Sequence, residues 1–124
     1  MYPGWVLCKG DRNTCSRMRS MVRMAKRYGI KVVIGTIPPW GCYSDSMCGS
    51  SAPDQTALRY EQIAQLNAWL KTFAADEGIT LVDYHAALTS TDGLHYAEGM
   101  TSDGVHPAPA GFAVMQPLVE AHLP

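Results

Sequence analysis

The chain has 124 residues, of which 47% are hydrophobic and 17% charged, and its formal net charge is −1. This length suits one small domain with one hydrophobic core, so we expect a single domain over residues 1–124. No run of about 18 apolar residues occurs, which predicts no membrane span, and the first residues lack the order of a secretory signal, which leaves the compartment open.

The first predicted elements are a short apolar strand at residues 5–8 and a basic helix that ends near Gly29. Residues 1–31 carry eight Lys or Arg against one Asp, whereas residues 32–124 carry two against ten acidic residues. Basic and apolar residues recur at helical spacing here, which predicts an amphipathic helix with a solvated basic face. The basic residues are Arg17, Arg19, Arg23, Lys26 and Arg27, and the apolar ones are Met18, Met21, Val22, Ala25 and Tyr28. Since no nucleic-acid-binding motif accompanies the charge, we expect no nucleic-acid partner.

Two apolar runs of strand type follow, separated by a second helix. Residues 31–37, KVVIGTI, are continuous and β-branched, which is typical of a strand covered on both faces. Prolines end this run, and residues 40–53, rich in Gly, Ser, Pro and Cys, predict a long loop. Asp54 is the expected cap of the second helix, which Gly78 ends, and residues 79–83, ITLVD, predict the next strand. The apolar residues at helical spacing in this helix are Ile63, Leu66, Leu70 and Phe73.

The last part of the chain is predicted as a short HAAL turn, a polar loop and a terminal helix with Phe112, Met115 and Val119 on one side. The resulting order β-α-β-α-β-α indicates three parallel strands joined by right-handed crossovers, with helices on both faces. Ligands bind such sheets at the carboxyl ends of the strands. Three loops converge there, at residues 9–14, at residues 38–53 and after Asp83.

Four cysteines, Cys8, Cys15, Cys42 and Cys48, are sparse for a disulfide scaffold and match no paired spacing of a zinc site. We therefore predict no metal. Cys42 and Cys48 flank a short polar loop and could close a small disulfide in an exported protein, and buried or free thiols are an equal alternative.

The stretch TSDGVHPAPAGFAVM, residues 101–115, carries the most chemistry. A proline disfavours helical backbone in the residue before it, which places His106 on a turn, whereas Pro109 fits the first turn of the last helix. Neutral His106 can take a proton from a hydroxyl, and Asp103 can fix its tautomer, so the two are a candidate catalytic pair. The alternative is structural, with Asp103 capping the turn and His106 packed against it.

This stretch resembles the last sequence block of the SGNH or GDSL hydrolases, serine esterases and lipases in which an Asp-x-x-His turn before the final helix supplies two triad members. The segments GIKVVIGTIPP and LNAWLKTFAADEGITLVDYHAAL share the resemblance, which extends from about residue 20 onward. It implies a three-layer α/β/α fold of flavodoxin type with a short parallel sheet, truncated at its amino terminus and therefore an incomplete domain. It also implies His106 as general base, Asp103 as its orienting partner, and no cofactor.

The family's other blocks match poorly. Its Gly-Asp-Ser motif with the nucleophile is absent, as is the glycine of its second block. Residues 10–13, Gly-Asp-Arg-Asn, match its Gly-x-Asn-Asp block only with one inserted residue and without the final Asp, and on that match Asn13 is an oxyanion-hole donor. The nucleophile is therefore unassigned, and we interpret each serine as a loop hydroxyl. The serines considered are Ser16, Ser20, Ser44, Ser46, Ser50, Ser51, Ser90 and Ser102.

Two functions remain in competition. The first is an SGNH-type ester hydrolase that acts on small acyl esters or lipids through an acyl-enzyme. The second is a catalytically incomplete fragment or pseudoenzyme that binds a partner or a copy of itself. Because the missing strands would leave the edge of residues 5–8 unpaired, we expect a homo-oligomer. Trp40 either lines an acyl pocket or packs in the core, and we assign no ligand role to His85, His95 or His122.

Overall fold

The computed structural model describes residues 8–9, 13–41 and 53–124. The elements in these ranges are α1 (Thr14–Arg27), β1 (Val33–Gly35), α2 (Pro53–Glu77), β2 (Thr80–Val82), α3 (Tyr84–Leu88) and α4 (Pro109–Glu120). The strands β1 and β2 pair in parallel, with Ile34 opposite Leu81. The described part of the chain is therefore an α/β arrangement with a short parallel sheet, and both strands lie within the predicted apolar runs.

Three sequence predictions fall outside the described residues. Of the strand predicted at residues 5–8, only Cys8 is described. The three-stranded sheet and the edge pairing between copies therefore stay predictions. The pair Cys42 and Cys48 lies outside as well, and so does the side chain of Asp54. That residues 1–124 make one domain also stays a prediction.

Helix α1 confirms the predicted basic helix. Its first turn is capped by Asn13, whose Oδ1 accepts a hydrogen bond from the Ser16 N–H at 2.7 Å. The chain leaves the helix through Gly29 at φ +72°, a left-handed conformation that glycine adopts without a steric cost. The basic face is solvated and reaches the end of α2, where Arg23 and Lys26 both pair with Glu77.

The buried side of α1 is narrower than the sequence predicts. Cys15 and Val22 are 3% exposed, whereas Met21 and Tyr28 are 59% and 75% exposed. At about 100° per residue, Met21 and Tyr28 lie about 110° and about 130° around the helix from the line through Cys15 and Val22, so they miss the core. Phe112 of α4, which the sequence places on the same side as Met115 and Val119, is also exposed, at 56%.

The core is formed by α1, β1 and α2. Leu66, Leu70 and Phe73 of α2 pack with Val22 and Ile34, which confirms the predicted apolar positions of this helix at its buried centre. Trp69 stacks on Phe73 with ring centroids 4.8 Å apart. The packing of Leu66, Leu70 and Phe73 with Ile34 holds α2 against the sheet.

Residues 84–88 form the short helix α3, whereas the sequence predicts a short turn at HAAL, residues 85–88. The Asp83 Oδ1 accepts a hydrogen bond from the Ala86 N–H at 3.1 Å and so caps its first turn. Tyr84 lies over β1 at Gly35, where a Cβ atom would come within 2.6 Å of the tyrosine ring. Leu88 is fully buried and fixes the helix. Because a five-residue segment has little helical periodicity, sequence pattern alone does not reveal it.

Cys8 is joined to Cys15 by a disulfide with Cα atoms 5.0 Å apart. The sequence reasoning did not pair these two residues. The bond ties Cys8 to the first turn of α1.

Helix α4 begins at Pro109, as predicted. A Cβ atom at Gly111 would lie 2.6 Å from the carbonyl oxygen of Met100, so glycine allows the first turn of α4 to pack directly on the loop before it. None of the helices in the described ranges is both long and apolar enough to cross a bilayer.

Candidate active site

The predicted pair, Asp103 and His106, forms a compact turn. Asp103 Oδ1 accepts hydrogen bonds from the N–H groups of Val105 at 2.7 Å and His106 at 2.8 Å, and its Oδ2 lies 2.7 Å from His106 Nδ1. The His106 N–H, the His106 imidazole and the Val105 N–H hold the pKa of Asp103 well below its usual range. Asp103 is therefore a carboxylate that only accepts hydrogen bonds, so Nδ1 carries a ring proton.

The other ring nitrogen of His106 is accessible. The side chain is 74% exposed, against 25% for Asp103. Among the described residues, none donates or accepts a hydrogen bond at His106 Nε2. In the neutral ring this nitrogen is an acceptor, which is the arrangement a general base needs.

The turn is fastened by its neighbours. Thr101 Oγ1 donates a hydrogen bond to the His106 carbonyl at 2.6 Å and accepts one from the Gly104 N–H at 3.0 Å. Tyr96, which is buried, donates its hydroxyl to the Val105 carbonyl at 3.1 Å. These bonds orient the turn in addition to those of the Asp103 carboxylate, whose Oδ1 lies 3.4 Å from the Thr101 hydroxyl.

Gly104 connects the turn to the segment that follows β1. Its φ is +89°, which favours glycine, and its carbonyl accepts a hydrogen bond from the Gly41 N–H at 2.8 Å. The sequence prediction that the loop after the first long strand approaches the Asp-x-x-His turn is confirmed at this contact.

A second turn of the same kind occurs at residues 91–95. Asp92 Oδ1 accepts hydrogen bonds from the N–H groups of Leu94 at 2.8 Å and His95 at 3.0 Å, and Asp92 Oδ2 lies 2.7 Å from His95 Nδ1. The Ser90 hydroxyl, 2.6 Å from Asp92 Oδ1, is the main cause that holds the pKa of Asp92 well below its usual range. Sequence reasoning missed this pair, although Thr-Asp-Gly-Leu-His at 91–95 repeats the pattern of Ser-Asp-Gly-Val-His at 102–106.

Unlike His106, His95 has a partner on its second nitrogen. The hydroxyl of Tyr60, from α2, lies 2.6 Å from His95 Nε2. Tyr60 also meets the ring of Trp40 edge to face at 5.9 Å, and the Arg59 guanidinium lies 5.0 Å from the centre of the Trp40 ring. Residues far apart in the sequence thus form one polar and aromatic cluster.

A further polar group lies at the carboxyl ends of both strands. Thr36 follows β1 and donates its hydroxyl to Asp83 Oδ1 at 2.9 Å, and it accepts a hydrogen bond from the His85 N–H at 3.0 Å. Burial raises the pKa of Asp83, but the Ala86 N–H, the Thr36 hydroxyl and the ammonium of Lys71, 3.3 Å away, outweigh it and lower that pKa. Burial lowers the pKa of His85 and outweighs the opposite effect of the Asp83 carboxylate.

A cleft of about 300 Å³ opens beside these strand ends. Its apolar walls include Trp40, Ile63 and Leu94, and its polar lining includes Tyr60 and Lys71. Trp40 therefore lines a cleft, and its predicted place in an acyl pocket stays a prediction. The turn at 91–95 borders this cleft, whereas Asp103 and His106 are not among the residues that line it.

The remaining candidates are placed as follows. Asn13 uses its Oδ1 as the cap of α1, and its predicted role as an oxyanion-hole donor stays a prediction. Ser16 donates its hydroxyl to the Asn13 carbonyl at 3.5 Å, and Ser90 donates to Asp92. The four serines between residues 42 and 52 lie outside the described ranges. In residues 8–9, 13–41 and 53–124, no three His, Cys, Asp or Glu side chains form a group that could hold a metal ion.

The sequence profile of the GDSL-like lipase/acylhydrolase family matches residues 6–114. Among solved structures, a candidate acylhydrolase of Bacteroides fragilis NCTC 9343 is 33% identical with a TM-score of 0.70, over 88% of this chain and 49% of that one. A GDSL-like lipase of Bacteroides thetaiotaomicron VPI-5482 is 25% identical with a TM-score of 0.70, over 95% of this chain and 56% of that one.

A third structure shows the fold alone. It is the esterase domain of the ORF1 protein of the zebrafish ZfL2-1 retrotransposon, 15% identical with a TM-score of 0.63, over 86% of this chain and 55% of that one. The chain spans about half the length of these three structures. Among curated proteins, no sequence matches it.

Proposed function

Because this chain belongs to the GDSL-like lipase/acylhydrolase family, we propose that it is a serine-type esterase or lipase in which His106 is the general base and Asp103 its orienting partner. The observation that carries this proposal is the Asp103–His106 contact of 2.7 Å, which leaves His106 Nε2 open on an exposed ring. The substrates proposed are small acyl esters or lipids.

The reaction that this geometry supports begins with proton transfer. His106 Nε2 takes the proton of a serine hydroxyl as its oxygen attacks the ester carbonyl, and the imidazolium then returns that proton to the leaving alcohol. In the second half of the reaction, His106 deprotonates a water molecule, which attacks the acyl-enzyme and releases the carboxylic acid. Asp103 keeps Nδ1 protonated and stabilises the transient imidazolium, while the hydrogen bonds of Thr101 hold the turn in register.

The nucleophile is not assigned. In the part of the chain that the structure describes, no serine hydroxyl bonds to His106, and the oxyanion donor proposed, Asn13, lies at the start of α1. This observation favours a second candidate function: a catalytically incomplete member of the family that binds a partner or a second copy of itself.

Labelling with a fluorophosphonate, followed by peptide mass mapping, separates the two. If the chain is an esterase, we expect one defined serine to be labelled. His106→Ala should then abolish this labelling, because the serine hydroxyl loses its general base. His122→Ala, which removes an imidazole beyond the end of α4, is the control. A folded chain that takes no label supports the binding module and contradicts the esterase.

A further inference from the structure

Tyr60, His95 and Asp92 lie in line. Tyr60 Oη is 2.6 Å from His95 Nε2, and His95 Nδ1 is 2.7 Å from Asp92 Oδ2. Because the Asp92 carboxylate only accepts hydrogen bonds, Nδ1 carries a proton, and in the neutral ring Nε2 accepts one from the phenol. We propose that Tyr60 is a covalent nucleophile that takes up acyl groups, with His95 as its general base and Asp92 as the group that orients His95.

The chemistry of a phenol suits this arrangement. Tyrosine ionises near pH 10, far below an aliphatic hydroxyl, so the transfer of its proton to an imidazole is less unfavourable than the transfer from a serine. An imidazole backed by a carboxylate is the group that activates hydroxyl nucleophiles. Tyr60 therefore needs less activation than a serine in the same position.

The same acidity limits the substrates. The intermediate formed by a phenolate and an ester expels whichever oxygen or sulfur is the weaker base. Thiolates, with an ordinary pKa of about 8.5, and acidic aryl oxides leave before a tyrosine phenolate of about 10, whereas alkoxides do not. The substrate class is therefore acyl thioesters and aryl esters, and simple alkyl esters are excluded.

The surroundings of Tyr60 fit an acyl substrate. Its side chain lines the cleft of about 300 Å³, whose walls include the apolar side chains of Trp40, Ile63 and Leu94. Lys71 lines the same cleft, and its side chain is 55% exposed beside Asp83. Apolar walls with a few polar groups are typical of small-molecule sites.

The proposed step conserves atoms and charge. Tyr60 Oη bonds to the acyl carbon while its proton passes to His95 Nε2, and the bond from that carbon to the thiol sulfur or aryl oxygen breaks. The leaving group takes the proton from His95, which leaves O-acyl-Tyr60 and the free thiol or phenol. Water, deprotonated by His95, then releases the carboxylic acid and restores the phenol. Neither Asp103 nor His106 takes part, so this reaction goes beyond the function proposed above and does not depend on it.

Acetylation by p-nitrophenyl acetate tests the proposal, with the sites mapped by mass spectrometry after acid quenching. The His106→Ala chain is used so that the other reaction does not contribute. Tyr28 is the internal reference, because it is 75% exposed and its neighbours in the sequence supply no imidazole. General-base help predicts that Tyr60 is acetylated at least about 100-fold faster than Tyr28, although exposure alone favours Tyr28.

Two variants complete the test. His95→Gln should reduce acetylation of residue 60 to the rate of Tyr28, with the rate of Tyr28 unchanged, and Tyr60→Phe should abolish the part of p-nitrophenolate release that depends on His95. If His95→Gln fails to fold, the ratio of Tyr60 to Tyr28 in the parent chain still decides. Equal rates at Tyr60 and Tyr28 overturn the proposal, as does nitrophenolate release that needs His95 but not Tyr60.

Discussion

The turns at residues 91–95 and 102–106 are built alike. Each has Ser or Thr, Asp, Gly, an aliphatic residue and His in sequence. In each, one carboxylate oxygen accepts two backbone N–H groups and the other lies 2.7 Å from the imidazole Nδ1. Five residues of local sequence thus supply the Asp–His pair, and neighbouring side chains support it: Ser90 in one turn, Thr101 and Tyr96 in the other.

The turns differ in what lies beyond the ring. His95 Nε2 is hydrogen-bonded to the Tyr60 hydroxyl at the border of the cleft. The His106 side chain, in contrast, is 74% exposed and lies in the turn that contacts the loop after β1. The hydroxyl that each imidazole serves is therefore set by packing and not by the turn. The local sequence orients each imidazole, whereas the packing of the fold determines which group the imidazole can act on.

Removal of His106 has the largest expected effect. His106→Ala should lower kcat/KM for a short alkyl ester by at least about 1,000-fold, because the nucleophile loses its base and the leaving alcohol its acid. Titration of the released acid measures this. Alkyl esters are chosen because the reaction proposed for Tyr60 excludes them.

Two further variants qualify that result. Asp103→Asn should lower kcat/KM less than His106→Ala does, because the imidazole remains and only its tautomer and orientation are lost. His122→Ala should leave the rate unchanged. Full activity in His106→Ala would show that the turn at 102–106 is structural, the alternative that the sequence left open.

The glycines of the two turns should differ in their effect on stability. Gly93 has φ +75° and Gly104 has φ +89°, so alanine is strained at either position. Gly93→Ala should lower the free energy of unfolding by about 1 kcal/mol, because a Cβ there meets only open space.

Gly104→Ala should cost more, about 2 kcal/mol, because Gly104 is buried and bonded through both its N–H and its carbonyl. Urea unfolding of the two variants beside the parent chain measures the difference. Equal losses would mean that the burial and the hydrogen bonds of Gly104 do not limit how the turn at 102–106 relaxes around an added methyl group.

Patterns within one element made most of the fold predictable. Continuous β-branched residues gave the position of β1, helical spacing gave Leu66, Leu70 and Phe73 as core residues of α2, and the His-Pro pair placed His106 on a turn. Each prediction rests on the period or the backbone restriction of a few consecutive residues.

Features that depend on tertiary packing were not predictable in this way. The contact of Tyr60 with His95 joins residues 35 apart in the sequence, and nothing in either local pattern specifies it. The exposure of Met21 and Phe112 likewise depends on which neighbours reach their helices. The Asp92–His95 pair is an exception, because the repeated five-residue pattern was visible in the sequence and could have been found there.

The smallest expected effect is a loss of stability at acid pH, to which both turns should contribute. The Ser90 hydroxyl for Asp92, and the His106 N–H for Asp103, are the main causes that hold the pKa of each carboxylate below its usual range. In the unfolded chain both return to about 3.9. The stability that they contribute is therefore complete above that pH and is lost as the pH falls through the lower, folded values.

Replacing either carboxylate by an amide should flatten this loss. Between about pH 4 and about pH 2, the urea midpoint of the parent chain should fall more steeply than that of Asp92→Asn or Asp103→Asn. Both variants should flatten the slope, and Asp92→Asn at least as much as Asp103→Asn, because Asp92 accepts the Ser90 hydroxyl in addition to the two backbone N–H bonds and the imidazole bond that both carboxylates have. Asp76→Asn, at an exposed carboxylate of α2, controls for the change in charge. If Asp103→Asn flattens the slope and Asp92→Asn does not, the hydrogen bonds at 91–95 do not persist in solution, and the base proposed for Tyr60 is not held in place.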